Sequence, residues 1–191
     1  MAQIDSARKR ASQFSQALCV MNNTVSEKEG LEQGAITNFA EYFSANSNRG
    51  HLMFKESLQP PYPDTLCELT GQPLYVEVAH IYGTETDAKY LLRRTGRAQP
   101  TKQERLKSTL TPLDKRYLIP LNKVLKSKAE KIYKGKPVWL LVRNGLPLWT
   151  SEDFNEHINE IKIPKKHPFD EIWLLCAPSG QFGAIQLYGN A

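Results

Sequence analysis

The sequence predicts an α/β domain with a mixed central β-sheet flanked by helices, on three observations. The apolar runs VWLLV (138–142) and IWLLCA (172–177) have the length of strands and no polar alternation, which indicates strands covered on both faces. Between Gly50 and Ile81, three runs of strand-forming residues separated by turn signals indicate a small β-meander. Segments with helical spacing lie between the runs. At 191 residues the chain is long enough for one such domain.

The predicted order of elements is α-α-β-β-β-α-α-β-α-β-β. Residues 1–25 form an N-terminal helical extension, with a helix over Ser6–Met21, and residues 26–191 form a single domain. The first helix of that domain begins near Ser26, where two acids favour the positive end of the helix dipole. An apolar stripe at helical spacing runs along it and comprises Leu31, Ala35, Phe39 and Phe43.

The meander consists of the strands HLMF, TLCEL and LYVEVAHI, and the sequence TGQP makes the tight connection between the last two. After it we expect a helix from residue 84, a basic loop or short helix over 96–112 and a long helix over Pro112–Tyr133. The strand VWLLVRNG, a helix opening at Ser151 and the strands EIWLLCAP and FGAIQLYG complete the domain.

Basic charge is concentrated in one quarter of the chain. The net charge is +5 overall, but 15 Lys and Arg stand against 3 acids between Lys89 and Lys136, so this segment carries +12 and the remainder −7. Such a segment is suited to a polyanion such as nucleic acid. A solvated, lysine-rich helical surface is the alternative interpretation.

The cysteines and the N-terminus indicate the compartment. Cys19, Cys67 and Cys176 are far apart and lack metal-ligand spacing, so we expect reduced thiols and no structural zinc. The N-terminus MAQIDSARKRASQ is polar where a secretory signal is apolar, and no apolar run is long enough to span a membrane. We therefore expect a soluble, cytoplasmic protein with no membrane partner.

Two acids, Asp64 and Glu77, are candidates for a metal site. Asp64 opens one predicted strand and Glu77 lies inside its neighbour, so the hairpin brings both carboxylates to the same end of the sheet. A divalent cation relieves the repulsion between such carboxylates, and Mg²⁺ favours one or two of them together with water and phosphate oxygens. Strand alternation directs Glu77 to one face, with Val76 and Val78 on the other. The alternative is that Asp64 only caps a turn after Pro63 and that Glu77 faces solvent.

A predicted inward-facing lysine favours the first of these two interpretations, in which Asp64 and Glu77 form a site. The predicted sheet-facing stripe of the long helix steps by three or four residues through Leu118, Leu121, Leu125, Lys128 and Ile132. A lysine directed inward needs an acidic partner, which the meander could supply. Lys128 could then orient a nucleophilic water or neutralise a phosphate. The alternative is that its stem packs while its ammonium group reaches solvent.

These residues resemble the motif of the PD-(D/E)XK, or restriction-endonuclease-like, nuclease superfamily. The resemblance covers about residues 26 to 188 and rests on Pro63-Asp64, the strand YVEVA and the long helix that follows. It implies a restriction-endonuclease-like core in which Asp64, Glu77 and the carbonyl of Val78 bind Mg²⁺ or Mn²⁺. The usual motif lysine is replaced by Ala79.

The resemblance also implies further site residues. In some family members the lysine comes from a later element, and Lys128 is the first choice for that catalytic role, with Lys89 second. A helical acid often joins the two metal ligands, and Glu32 is the first choice, with Glu56 as the alternative. The residues expected to contact the nucleic-acid backbone are Lys89, Arg93, Arg94, Arg97, Lys102 and Arg105.

The expected function is therefore Mg²⁺-dependent hydrolysis of phosphodiester bonds in nucleic acid. DNA is favoured over RNA as the substrate, and cleavage within the strand, as by an endonuclease, is favoured. A catalytically inactive module of the same fold that binds nucleic acid or a partner protein is the alternative, and an unrelated structural protein is a third. A homodimer is compatible with each. The motifs GxxxxGK[ST], GxSxG and GxGxxG are absent, so nucleotide hydrolysis, hydrolase-elbow chemistry and dinucleotide binding have no support.

Overall fold

A computed structural model of the chain describes residues 27–83, 101–103, 106, 110, 112–145, 149–177, 180 and 183–189. By its internal contacts the chain divides into two compact units, residues 1–31 and 32–191. The predicted boundary lies between residues 25 and 26, and of the first unit only residues 27–31 are described. The second unit contains the sheet and the candidate site.

The second unit contains one six-stranded mixed sheet in the order β1-β2-β3-β4-β5-β6. Its strands are β1 (Leu52–Ser57), β2 (Thr65–Leu69), β3 (Gln72–Ile81), β4 (Val138–Asn144), β5 (Glu171–Leu175) and β6 (Ala184–Tyr188). The first three form the predicted antiparallel meander. Strands β3, β4 and β5 run parallel, and β6 returns antiparallel to β5. The α/β fold class with a mixed sheet is therefore confirmed.

The β2–β3 hairpin fixes which residues face each other at the candidate site. Leu69 pairs with Gln72, so Thr70 and Gly71 alone form the turn, and both have positive φ, 50° and 80°. Positive φ at both central positions is the geometry whose twist matches two antiparallel strands. The resulting register pairs Thr65 with Val76.

The helices cover both faces of the sheet. They are α1 (Glu27–Asn46), α2 (Leu113–Ala129) and α3 (Ser151–Glu156), with a 3₁₀ turn at Ile158–Glu160. Helix α3 begins as predicted, with a reciprocal capping box between Thr150 and Asp153, an arrangement that satisfies two otherwise unpaired backbone amides. The layers are thus helix, sheet and helix.

One core lies on each face of the sheet. Phe39 and Phe43 of α1 pack with Val76, Val78 and Trp139 on the first face. On the second face, α2 and α3 pack on the side chains that alternate with these, in a cluster that includes Ala79, Leu118, Leu121, Leu125, Leu140, Val142 and Phe154. The prediction of strands covered on both faces is therefore confirmed, and so is the predicted alternation along β3.

The end of the long helix was predicted wrongly. Helix α2 ends at Ala129 with Glu130 as its C-cap, four residues before the predicted end at Tyr133. Ile132 therefore leaves the predicted stripe and is 92% exposed. The chain beyond the helix turns back toward the β1–β2 loop, where the Lys134 amide donates to the Pro61 carbonyl at 3.0 Å.

Several predictions lie outside the described residues. These are the helix over Ser6–Met21, the helix start at residue 84 and most of the basic segment over 96–112. Cys67 and Cys176 are buried free thiols, and burial raises the pKa of Cys67 to about 11 and that of Cys176 to about 12. In the described part of the chain, no helix is both long and apolar enough to cross a membrane.

Candidate functional site

Asp64 lies at the entrance to β2, beside the strand that carries Glu77. Because Thr65 pairs with Val76, one further step of the same register places Asp64 opposite Glu77. The Val78 amide donates a hydrogen bond of 2.9 Å to Asp64 Oδ2. A second hydrogen bond, from the Leu58 amide to the Asp64 carbonyl at 2.8 Å, closes the loop that carries this residue. Both its backbone and its carboxylate are thereby held in place, and Asp64 does more than cap a turn.

Glu77 is directed into the protein and is paired with Lys128. Glu77 is 3% exposed, so the alternative in which it faces solvent is wrong. Lys128 Nζ donates a short hydrogen bond to Glu77 Oε1 and a second one, of 3.3 Å, to the Val78 carbonyl. Its side chain is 18% exposed. The ammonium group therefore does not snorkel to solvent, and its partner is an acid of the meander.

A second ammonium group reaches the same carboxylate. Lys131 Nζ lies 3.4 Å from Glu77 Oε1, although half of the Lys131 side chain is exposed. Asp64, Glu77, Lys128 and Lys131 together carry two negative and two positive formal charges. The charges of the site therefore balance, which lowers the cost of keeping the Glu77 carboxylate buried.

Tyr133 adds a buried hydroxyl group beside these charges. Its oxygen is inaccessible to solvent and has no hydrogen-bond partner of normal geometry among the described residues. Burial, then the charge of Glu77 and a hydrogen-bonding interaction with that carboxylate, and last the charge of Asp64, raise the pKa of this hydroxyl above its ordinary value. The Tyr133 hydroxyl therefore keeps its proton beside Glu77.

The oxygen atoms at the site suit a small divalent cation. The carboxylates of Asp64 and Glu77 and the carbonyl of Val78 are hard oxygen ligands of the kind that Mg²⁺ prefers. The Lys128 ammonium group already donates hydrogen bonds to Glu77 Oε1 and to the Val78 carbonyl. The space between these oxygen atoms therefore favours a positively charged group. Within the described residues, no three His, Cys, Asp or Glu side chains are grouped closely enough to hold a metal ion. A metal here would complete its coordination with water and substrate oxygens.

The two candidates for a third acid do not join this cluster. Glu32 is buried in α1, but α1 packs on the face of the sheet opposite to the one that Glu77 occupies. Glu56 is exposed on the edge strand β1. Neither completes a three-acid group with Asp64 and Glu77 in the described structure, because the helix and the edge strand present their acids elsewhere.

The predicted nucleic-acid contacts are described in only one case. Lys102 is exposed, as a residue that contacts phosphates requires. Lys89, also the second choice for the catalytic lysine, and Arg93, Arg94, Arg97 and Arg105 lie outside the described residues. Their roles stay predictions.

Sequence reasoning missed two residues of the site, Lys131 and Tyr133. Helical periodicity places Lys131 away from the stripe of Lys128, and it assigns Tyr133 to the helix end. Because α2 ends at Ala129 and the chain folds back, Lys131 Nζ reaches Glu77 Oε1 and the Tyr133 hydroxyl lies near enough to feel the charge of Glu77. The local signal for this fold-back was Gly135, whose φ is +90°.

Comparisons of the chain with protein-family models, with curated proteins and with solved structures find no match.

Proposed function

We propose that the chain is a metal-dependent nuclease with a restriction-endonuclease-like core, which hydrolyses phosphodiester bonds of nucleic acid, DNA before RNA. The observation that carries the proposal is the position of the Lys128 ammonium group on Glu77 Oε1 and the Val78 carbonyl. Asp64 accepts from the amide of the same Val78. The Glu77 carboxylate and the Val78 carbonyl thus meet at one ammonium group, and Asp64 lies on the amide of the same Val78.

Each residue of this cluster has a distinct task in the proposed reaction. Glu77, Asp64 and the Val78 carbonyl would hold Mg²⁺ or Mn²⁺. Such an ion lowers the pKa of a bound water and stabilises charge that develops on a phosphate. Asp64 is oriented for this purpose by the Val78 amide, and hydrogen-bonded supports of this kind fix ligand geometry.

The lysines supply positive charge where a phosphate would bind. If Glu77 bound a metal instead of Lys128, the Lys128 ammonium group would be free to orient the attacking water or to neutralise the phosphate. Lys131 is more exposed than Lys128 and is therefore the better placed of the two to meet an incoming phosphate. Preorganised positive groups of this kind stabilise the charge of a transition state.

The test is cleavage of plasmid DNA and of single-stranded DNA by the wild-type protein in Mg²⁺ or Mn²⁺, beside the same reactions in EDTA. We expect cleavage only with the metal. Asp64→Asn keeps an acceptor for the Val78 amide but removes the charge. We expect it to lower the cleavage rate by at least about 100-fold, because loss of a group that only supports a metal ligand already costs about 10- to 100-fold.

Glu68→Gln is the matched control for Asp64→Asn. Glu68 is an acid of the same hairpin, but it pairs with Lys55 at 2.9 Å and takes no part in the cluster. Its substitution should leave cleavage within about twofold of wild type, since exposed pairs contribute little. No cleavage in any metal, or equal cleavage by Asp64→Asn and wild type, would contradict the nuclease proposal.

A second candidate function is a catalytically inactive module of the same fold that binds nucleic acid or a partner protein. Ala79 stands where the resemblance expects a lysine, and Glu77 is already engaged by two ammonium groups. Both observations favour a site that no longer needs a metal. Binding of DNA that persists without cleavage in Mg²⁺ and Mn²⁺ would favour this module.

A further inference from the structure

An exposed tyrosine lies beside the candidate site. Tyr62 belongs to the loop between β1 and β2 and is 42% exposed. Its ring stacks on that of Tyr75, with centroids 6.0 Å apart and an angle of 20° between the ring planes. Since Tyr75 covers one face of the ring, the exposed surface of Tyr62 lies on its outer face and edge.

The segment after α2 contacts both members of the tyrosine pair or their neighbours. The backbone at Gly135 approaches Tyr75 so closely that a Cβ there would lie 2.7 Å from the ring. With a φ of +90° as well, this position requires glycine. The Lys134 amide donates to the carbonyl of Pro61, the residue before Tyr62. An exposed ring that already stacks on a neighbouring ring and whose loop is hydrogen-bonded loses less conformational entropy when it binds a ligand.

The pair is also adjacent to the proposed metal ligands. Tyr62 precedes Asp64 by two residues, and Tyr75 precedes Glu77 by two residues on the same face of β3. Two residues along a strand span roughly 7 Å, which sets the separation of Tyr75 from Glu77, and Tyr62 stacks on Tyr75. A base attached to a phosphate at the site, or to its neighbour, would therefore reach the outer face of Tyr62.

The charge around the pair matches a nucleic-acid backbone. Lys131 and Lys134 follow α2 and are exposed, Lys131 reaches Glu77, and the Lys134 backbone contacts the Tyr62 loop. An exposed aromatic ring beside positive groups is the combination by which proteins bind single strands, because every base has a face that can stack.

We propose that Tyr62 stacks on an unpaired base and so makes single-stranded or locally unpaired nucleic acid the preferred substrate of this site. The inference rests on the proposed function for the position of the phosphate. A base inside a duplex already stacks on both faces, so Tyr62 gains nothing from intact double-stranded DNA. The Tyr62 ring thus distinguishes single-stranded from double-stranded nucleic acid but does not distinguish one base from another.

The experiment is fluorescence anisotropy with a labelled single-stranded 12-mer and a labelled duplex of the same sequence, in EDTA at low salt. We expect Tyr62→Ala to weaken binding of the single strand by about 5- to 100-fold and binding of the duplex by less than about twofold. Tyr62→Phe keeps the ring and should bind both as wild type does. Thermal unfolding of each variant checks that the fold is retained.

Tyr188→Ala is the matched control. Tyr188 is exposed to a similar degree, 46%, but belongs to β6 at the opposite edge of the sheet, and its loss should not change binding. Equal binding of the single strand by Tyr62→Ala and wild type, or no binding of it by wild type, would overturn the inference.

The binding and cleavage assays test the nuclease proposal and the stacking role of Tyr62 independently of each other. Binding in EDTA needs no catalysis, so Tyr62-dependent binding without cleavage in any metal would refute the nuclease and leave the stacking role standing. Metal-dependent cleavage together with binding that is indifferent to Tyr62 would refute the stacking role alone.

Discussion

Replacing Lys128 with methionine is expected to tighten the binding of Mn²⁺ by about 10- to 100-fold while cleavage falls by about 100- to 1,000-fold. In the present structure the ammonium group donates to Glu77 Oε1 and to the Val78 carbonyl, two of the atoms proposed to hold the metal. A metal must therefore displace Lys128. Methionine removes the competitor from the site but cannot assist the water or the phosphate.

The size of the effect on metal affinity follows from the charge that is removed. An ammonium group and a divalent cation about 4 Å apart repel by about 8 kcal/mol at an effective dielectric constant of about 20. Most of this repulsion is avoided because a displaced Lys128 can turn toward solvent. The remaining gain, about 1.4–2.8 kcal/mol, corresponds to the expected change in affinity.

Calorimetric titration with Mn²⁺ measures the affinity directly, and cleavage of single-stranded DNA measures the rate. Lys126→Met is the control, because Lys126 is an exposed lysine of the same helix and should change neither quantity by more than about twofold. Weaker metal binding by Lys128→Met than by wild type would show that Lys128 does not compete with the metal.

The second large effect concerns stability in the absence of metal. Glu77→Gln is expected to lower the free energy of unfolding by about 2–3 kcal/mol, because it deprives a partly buried ammonium group of its charged partner. Lys128→Met should cost about 2 kcal/mol, since Lys131 remains 3.4 Å from Glu77. The double variant should cost little more than either single variant, with a coupling of about 1–2 kcal/mol.

Urea unfolding in EDTA of the four proteins measures this coupling. The exposed pair Lys55 and Glu68 provides a matched cycle on the neighbouring strands. Its side chains are 43% and 30% exposed, so its coupling should not exceed about 0.5 kcal/mol. Additive effects of Glu77→Gln and Lys128→Met would mean that their ion pair contributes nothing to the stability of the fold.

The strands and the pairing of Glu77 with Lys128 could be predicted from local patterns. Val76 and Val78 alternate with Glu77, so one buried face of β3 assigned the acid to the other face. Leu121 and Leu125 set the stripe on which Lys128 falls. Both inferences depend only on the spacing of side chains within a strand or a helix. That spacing does not change when the predicted ends of the strand or helix are wrong by a few residues.

The remaining residues of the site depend on where a regular element ends. No glycine or proline marks the end of α2, because the first glycine or proline after Ala129 is Gly135. Helical periodicity alone therefore could not predict the positions of Lys131, Ile132 and Tyr133. The position of Glu32 could not be predicted for a different reason. A buried acid on a helix can be recognised from its spacing, but the face of the sheet that the helix covers is decided by the path of the whole chain.

Anomalous diffraction from crystals of the wild-type protein soaked in Mn²⁺ tests the proposed metal site itself. We predict one strong peak bonded to the carboxylates of Glu77 and Asp64 and to the Val78 carbonyl, with the Lys128 ammonium group moved away from Glu77. A protein that keeps Lys128 on Glu77 at saturating Mn²⁺, with no peak among these oxygens, would contradict the account.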